Sequence, residues 1–201
     1  MLKKVSHFVV AATLLACAAQ AQDTRSEVSA SISGNFSKQT EGNGIILDPD
    51  QSAGFVGSYR YNFHPGMAVE ISYGFTRNNQ NYTIPGPVVA PIQADIHEAS
   101  AAYVLAIHPY ARLKPFVLAG GGALIFSPTN TFENTSFGAG LQTKPAFLYG
   151  GGADYKLFGA VALRLQYRGL LYKAPDFGVA DFTTGSWGHM AEPSAGVVFN
   201  F

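Results

Sequence analysis

Side chains able to do chemistry are sparse in this chain. The histidines are His7, His64, His97, His108 and His189, none within four residues of another, and no H-E-x-x-H occurs. No metal site is therefore expected. Asp181, Ser186 and His189 share one segment and have the residue types of a nucleophilic triad. The loop-like composition around them argues for coincidence, and no catalytic residue is assigned. Two glycine triplets, Gly120-Gly121-Gly122 and Gly150-Gly151-Gly152, neither open a helix nor complete a phosphate-binding fingerprint. They are expected to face each other across a hairpin and let a sheet coil. No cofactor is implied. What remains is ionic: Arg60, Glu70, Glu98, Asp154, Arg164, Arg168 and Glu192, which share one face of their segments. Such groups can line a pore or pair with one another and fill a lumen.

The elements that carry these residues are strands. Period-2 alternation recurs through the chain, the signature of a strand with two unlike faces. Phe55, Gly57, Tyr59, Tyr61 and Phe63 alternate with Val56, Ser58, Arg60 and Asn62. Met67, Val69, Ile71, Tyr73 and Phe75 alternate with Ala68, Glu70, Ser72, Gly74 and Thr76. Val161, Leu163, Leu165 and Tyr167 alternate with Ala162, Arg164, Gln166 and Arg168. Weaker segments of the same kind start near Val28, His97, Phe147 and Ala191, and Phe116 to Phe126 is apolar on both faces. That makes eight segments. Short turns fall at 63–66, 108–111 and 157–159. Long polar connections are expected at Gln39 to Ser52, Asn78 to Asp95, Ser127 to Lys144 and Lys173 to Gly188. Pro193, which lacks a ladder donor, is expected near a rim where pairing ends.

Composition selects the surroundings. Lys plus Arg and Asp plus Glu each number 13, so net charge is zero, which excludes a basic nucleic-acid binder. Charged residues are only 13% of the chain, about half the ~25% of soluble domains. The amino terminus carries Lys3 and Lys4, the apolar run Phe8 to Ala19, and the A-x-A site Ala19-Gln20-Ala21. Residues 1–21 therefore read as a secretory signal peptide and 22–201 as the mature domain. Leu14-Leu15-Ala16-Cys17 resembles a bacterial lipobox. Cys17 is either acylated or removed with the leader.

Sorting of short and long connections by parity is the habit of a transmembrane barrel, with turns at one membrane face and loops at the other. The predicted fold is all-β, an eight-stranded antiparallel up-and-down transmembrane β-barrel. Outward side chains must be apolar, which sends the seven charged residues inside. An interior of eight strands is just wide enough for side chains, so a paired, salt-bridged plug is expected.

The final residues Ser194, Gly196, Phe199 and Phe201 lie in an alternating segment that ends on an aromatic. This resembles the terminal signal read by barrel-assembly machinery. The mature chain as a whole resembles the small OmpA/OmpX-type outer-membrane β-barrel family. The resemblance implies the outer membrane of a Gram-negative (diderm) bacterium, with lipid and lipopolysaccharide as surroundings. It also implies a structural or surface-interaction role through four long loops. Ile46, Leu47, Val88, Val89, Phe132, Phe137, Phe177 and Phe182 in those loops either meet an extracellular partner or pack on each other. No peptidoglycan-binding domain is expected after the barrel, so a cell-wall tether is not implied. Outer-membrane lipid A deacylases carry a His-x-Ser pair on one strand face; His97-Glu98-Ala99-Ser100 puts these residues on opposite faces. The alternatives are a narrow porin-like channel or small hydrophobic-ligand binder and, third, a lipid-modifying enzyme.

Overall fold

A computed structural model describes residues 25–86, 88–129 and 137–201, with backbone only at Val88. The segment expected to be a signal peptide, Cys17 included, lies outside the described residues, as does Phe132. Ten strands follow in order: β1 (Ser26–Ser37), β2 (Thr40–Gly42), β3 (Ile45–Pro49), β4 (Ser52–His64) and β5 (Met67–Ile84), then β6 (Val88–Ala106), β7 (Leu113–Pro128), β8 (Gln142–Phe158), β9 (Val161–Lys173) and β10 (Trp187–Asn200). Eight of them form a closed antiparallel cylinder in sequence order, β10 pairing back to β1 and β5 to β6. Closure leaves the cylinder no free edge.

The faces sort by polarity. On the outer wall Ile71 is 56% exposed and Leu165 67%, whereas Arg60, Glu70 and Arg164 on the alternate positions are 1–3% exposed. The serines of β1 (Ser29, Ser31 and Ser33) point inward as well. β7, apolar on both faces from Phe116 to Phe126, turns Phe116, Leu118, Leu124 and Phe126 inward and Val117 outward. Aromatic residues gather on the outer wall. Phe55 and Phe75 sit 5.7 Å apart, and Tyr73 hydrogen-bonds His97 Nδ1 at 2.7 Å. Tyr149 lies across Gly169 and bonds His189 Nε2 at 2.9 Å. These rings occupy the position of a boundary girdle.

Four expectations are corrected, two about connections, one about Pro193 and one about the glycine triplets. The segment from Asn78 to Asp95 is not a loop. β5 and β6 run on as a paired hairpin from Arg77↔Asp95 to Ile84↔Val88, leaving a turn only at 85–87. Eight residues at ~3.3 Å each carry it roughly 26 Å beyond the girdle. Polar side chains are compatible with a strand once its outer face meets water, so polarity alone misread it. Likewise Gln39 to Ser52 contains the β2–β3 hairpin, which adds to the edge of β5 through Ile46↔Thr83 and Pro49↔Gln80. Pro193 sits in mid-strand opposite Tyr167 of β9. Its missing N–H falls on the β1 side, where the bridge pairs skip Gly34 and Asn35.

The glycine triplets do not face each other. The β7–β8 register sets Gly120, Gly121 and Gly122 against Leu148, Phe147 and Ala146, and Gly150, Gly151 and Gly152 against Leu118, Val117 and Phe116. The triplets are offset because the hairpin folds about a different centre than their midpoint. Each works against its other neighbour instead. A Cβ on inward Gly120 or Gly122 would strike the β6 backbone at Ala101–Ala102 or Ala99–Ser100, and one on Gly150 or Gly152 the β9 backbone. Absent side chains let the wall bend sharply there. Gly120→Ala is therefore expected to destabilise the barrel by ~2 kcal/mol or more through forced backbone shifts. Outward Gly121, whose Cβ would have 3.4 Å to its nearest neighbour, should tolerate alanine. Unfolding midpoints of the two variants check this.

Candidate functional site

Two layers fill the interior. The lower is ionic and starts from three adjacent strands, whose register aligns Glu27, Arg60 and Glu70 side by side. Arg60 Nη2 lies 2.8 Å from Glu70 Oε2 and Arg60 Nη1 3.5 Å from Glu27 Oε2. On the opposite wall Arg164 is in register with Asp154 and bonds it at 2.7 and 2.8 Å. Both arginines also span the lumen. Arg164 reaches Glu70 at 3.1 Å and Glu27 at 3.0 Å, and Arg60 reaches Asp154 at 3.4 Å. Phe116 closes the group from the side, its ring 4.3 Å from the Arg60 guanidinium and 5.2 Å from that of Arg164. Charged hydrogen bonds compensate burial only when nearly every oxygen and N–H is engaged, and this crossed arrangement engages most of them.

One step higher, Arg168 stands opposite Glu192 in register, 3.1 Å from it, and crosses to Glu98, Ser100 and Ser72. All seven charged residues singled out in the sequence are thus at most 5% exposed and fall into these two groups. Glu27 was missed. It continues the inward serine phase of β1 by one position, and extending the alternation backward from Ser29 would have found it.

Above the ions the interior turns apolar. Tyr82, Ile92, Leu47, Leu124, Phe126, Tyr172 and Met190 form a core with Phe177 and Phe182, which enter from the β9–β10 connection. Phe182 stacks on Tyr82 at 4.4 Å, and Phe177 meets Tyr82 and Phe126 edge-on. Phe177 holds a φ of +51°, a costly conformation for a bulky residue. Its neighbours fix it there. The backbone N–H groups of Asp176 and Phe177 donate to Gln142 Oε1, Gln142 Nε2 donates to Asp176 at 2.6 Å, and Tyr82 Oη donates to the Pro175 carbonyl at 2.7 Å. Burial pushes the Tyr82 phenol up, keeping it a neutral donor. Of the other apolar loop residues, Leu47 is buried, Phe137 packs on Phe182, and Val89 is exposed.

The triad candidates are occupied separately. His189 bonds Tyr149, Ser186 Oγ donates to the Glu41 carbonyl at 2.5 Å, and Asp181 lies in a short 3-10 turn (Ala180–Phe182). His97 faces outward and Ser100 inward. In the terminal strand Ser194 and Gly196 take the inward phase, while Phe199 is exposed on the outer wall. Phe201 follows at the end of β10, paired through its backbone with Ser26.

Two outcomes follow from this geometry. Arg164→Leu leaves Arg60 as the one guanidinium against Glu27, Glu70 and Asp154 and should cost about 3–5 kcal/mol, read as a lowered unfolding midpoint, without opening a conductance. The Asp176 carboxyl, although burial works against its charge, is held below the usual range by Gln142, the Gly178 N–H and Lys144. A depressed folded value means its contribution is present at neutral pH and lost as pH falls below about 4. Protease cleavage within 174–186 should accelerate over that window, and Asp176→Asn should remove the pH dependence.

The profile of the outer membrane protein beta-barrel domain matches residues 8–199. Among solved structures, the neisserial surface protein A superposes with a TM-score of 0.61 at 16% identity, covering 88% of this chain and 97% of that one. OprG of Pseudomonas aeruginosa gives 0.64 at 11% identity, covering 88% and 96%. The amino-terminal barrel of Pseudomonas aeruginosa OprF gives 0.51 at 18%, covering 87% and 97%. These likenesses concern the fold. Against curated proteins the chain has no match. The chain belongs to the outer membrane protein beta-barrel domain family and is an integral β-barrel of the Gram-negative outer membrane.

Proposed function

We propose that the protein is a closed, non-catalytic anchor that carries a rigid display platform above the outer membrane. The observation that carries this reading is the lumen, crossed by Arg60 and Arg164 and capped by Phe177 and Phe182. A barrel so filled holds no aqueous path of the kind a porin needs. The upper chamber has the apolar lining a hydrophobic-ligand binder would need, but the chain's own phenyl rings occupy it. What reaches outward is the β5–β6 hairpin buttressed by β3. Its outer side carries Arg77, Asn79, Asn81, Gln93 and Asp95. Asp50 braces that side, accepting from the Asn79 and Asn81 amides at 2.8 and 2.9 Å.

In this reading residues 1–21 direct export, and Ser194, Gly196, Phe199 and Phe201 present the strand that assembly machinery grips. The outer aromatic wall sits among lipid and lipopolysaccharide, and a partner outside the cell meets the platform. Planar-bilayer recording of the purified barrel is expected to show no unitary conductance; defined, reproducible channel steps would overturn the reading. Replacing 78–95 by a short turn should leave the barrel heat-modifiable on gels while abolishing surface binding by whole cells.

A further inference from the structure

The upper ionic layer is one positive charge short. Below it, Arg60 and Arg164 face three carboxylates, but Lys114 stands in register with Asp154 and lines the same depression at the turn end as Asp154 and Lys156. In the upper layer β6 contributes Glu98 and β10 contributes Glu192, each 3% exposed, against the single guanidinium of Arg168 from β9. β5 offers Ser72 there, with Glu70 in the layer beneath; β1 offers Ser33 and Asn35, β4 and β8 offer Gly54 and Gly150, and β7 offers Leu124. Lys144, nearer the mouth, is engaged with Asp176 at 3.6 Å. Among the described residues no second cation faces the pair.

The bonding is correspondingly lopsided. Arg168 spends Nη2 on Glu98, Ser100 and Ser72, while Glu98 Oε2 and Glu192 Oε2 lack a well-directed donor. Beside Glu192, where the β1–β10 bridge pairs skip Gly34 and Asn35, stands Asn35, 1% exposed and with neither amide atom partnered. The wall between Asn35 and Glu98, formed by β4 and β5, is cut back. A Cβ on Gly74 would lie 3.5 Å from Glu98 Oε2, and one on Gly54 2.9 Å from Asn35 Nδ2. A carboxylate left uncompensated in such surroundings is costly enough to capture a counter-charge.

We propose that the Glu98–Glu192 layer, with the buried, unpartnered Asn35 beside Glu192 in the β1–β10 register, holds one resident positive charge, a proton or a small hard cation. The carboxylate and amide oxygens are the donor type such a cation takes, and a proton shared by the two carboxyls satisfies the same charge count. The inference rests on the closed-lumen reading, but its test does not use conductance, so the two fail separately.

The experiment follows unfolding midpoints of the detergent-purified full barrel across mildly acidic to mildly alkaline buffers. Each pH is measured in choline, sodium and calcium chloride. Wild type is expected to lose stability as pH rises if the charge is a proton, or in choline alone if it is a metal ion. Glu192→Gln or Glu98→Gln, which removes the surplus carboxylate, should be at least as heat-stable as wild type at neutral pH and flat in both series. Glu70→Gln, which breaks a paired group, should unfold at lower temperature. Infrared spectra should show a protonated-carboxyl band that Glu192→Gln abolishes in the proton case; sodium or calcium binding at one per barrel marks the other. The proposal is overturned if both glutamine variants are as destabilised as Glu70→Gln, or if wild type ignores both pH and cation.

Discussion

The structure depends on one constraint: a closed sheet in lipid must turn every ionic group to a lumen barely wider than the side chains themselves. Within that space charges cannot avoid one another, so each must meet an opposite. Register supplies this economically. Glu27, Arg60 and Glu70 are cross-strand neighbours, as are Asp154 and Arg164, and the two arginines tie opposite walls together. Glycines make the geometry possible. Inward Gly120, Gly122, Gly150 and Gly152 let neighbouring strands approach where a methyl group would hold them apart.

The same strands obey the opposite rule a few residues later. Along β5 the outer face runs Met67, Val69, Ile71, Tyr73, Phe75 and then Arg77, Asn79, Asn81; along β6 it runs Asp95, then His97, Ala99, Ala101 and Tyr103. The inner face exchanges in step, from Glu70, Ser72 and Glu98 to Tyr82, Ile92 and Ala94. One cylinder is therefore inside-out in the membrane and conventional above it. Its two interiors are stacked end to end, ions below and rings above. The switch at Phe75–Arg77 and Asp95–His97 marks where lipid gives way to water.

The upper interior closes itself. The β9–β10 connection contributes two phenyl rings and is held by side chains from β5 and β8, through Tyr82 and Gln142. A second tie joins it to the β2–β3 hairpin, where Asn43 Nδ2 donates to the Thr183 carbonyl and Ser186 to that of Glu41. Loops fastened this way act as walls. That stiffness is what allows a polar outer surface to be presented in one shape.

The alternation of the sequence determined which residues share a face, because a strand's side chains change sides at every residue whatever the fold. Low charge, together with short and long connections sorted by parity, then chose lipid as the outside. It could not determine β7, apolar on both faces, nor see Glu27, one step before the alternation was counted. Register was equally out of reach, since the offset of the glycine triplets and the mid-strand place of Pro193 depend on which residues pair. The polar run of 78–95 was hidden for a related reason: a strand above the membrane has a solvated outer face, and its buried side is decided only when β3 and the Phe177–Phe182 strap arrive to cover it.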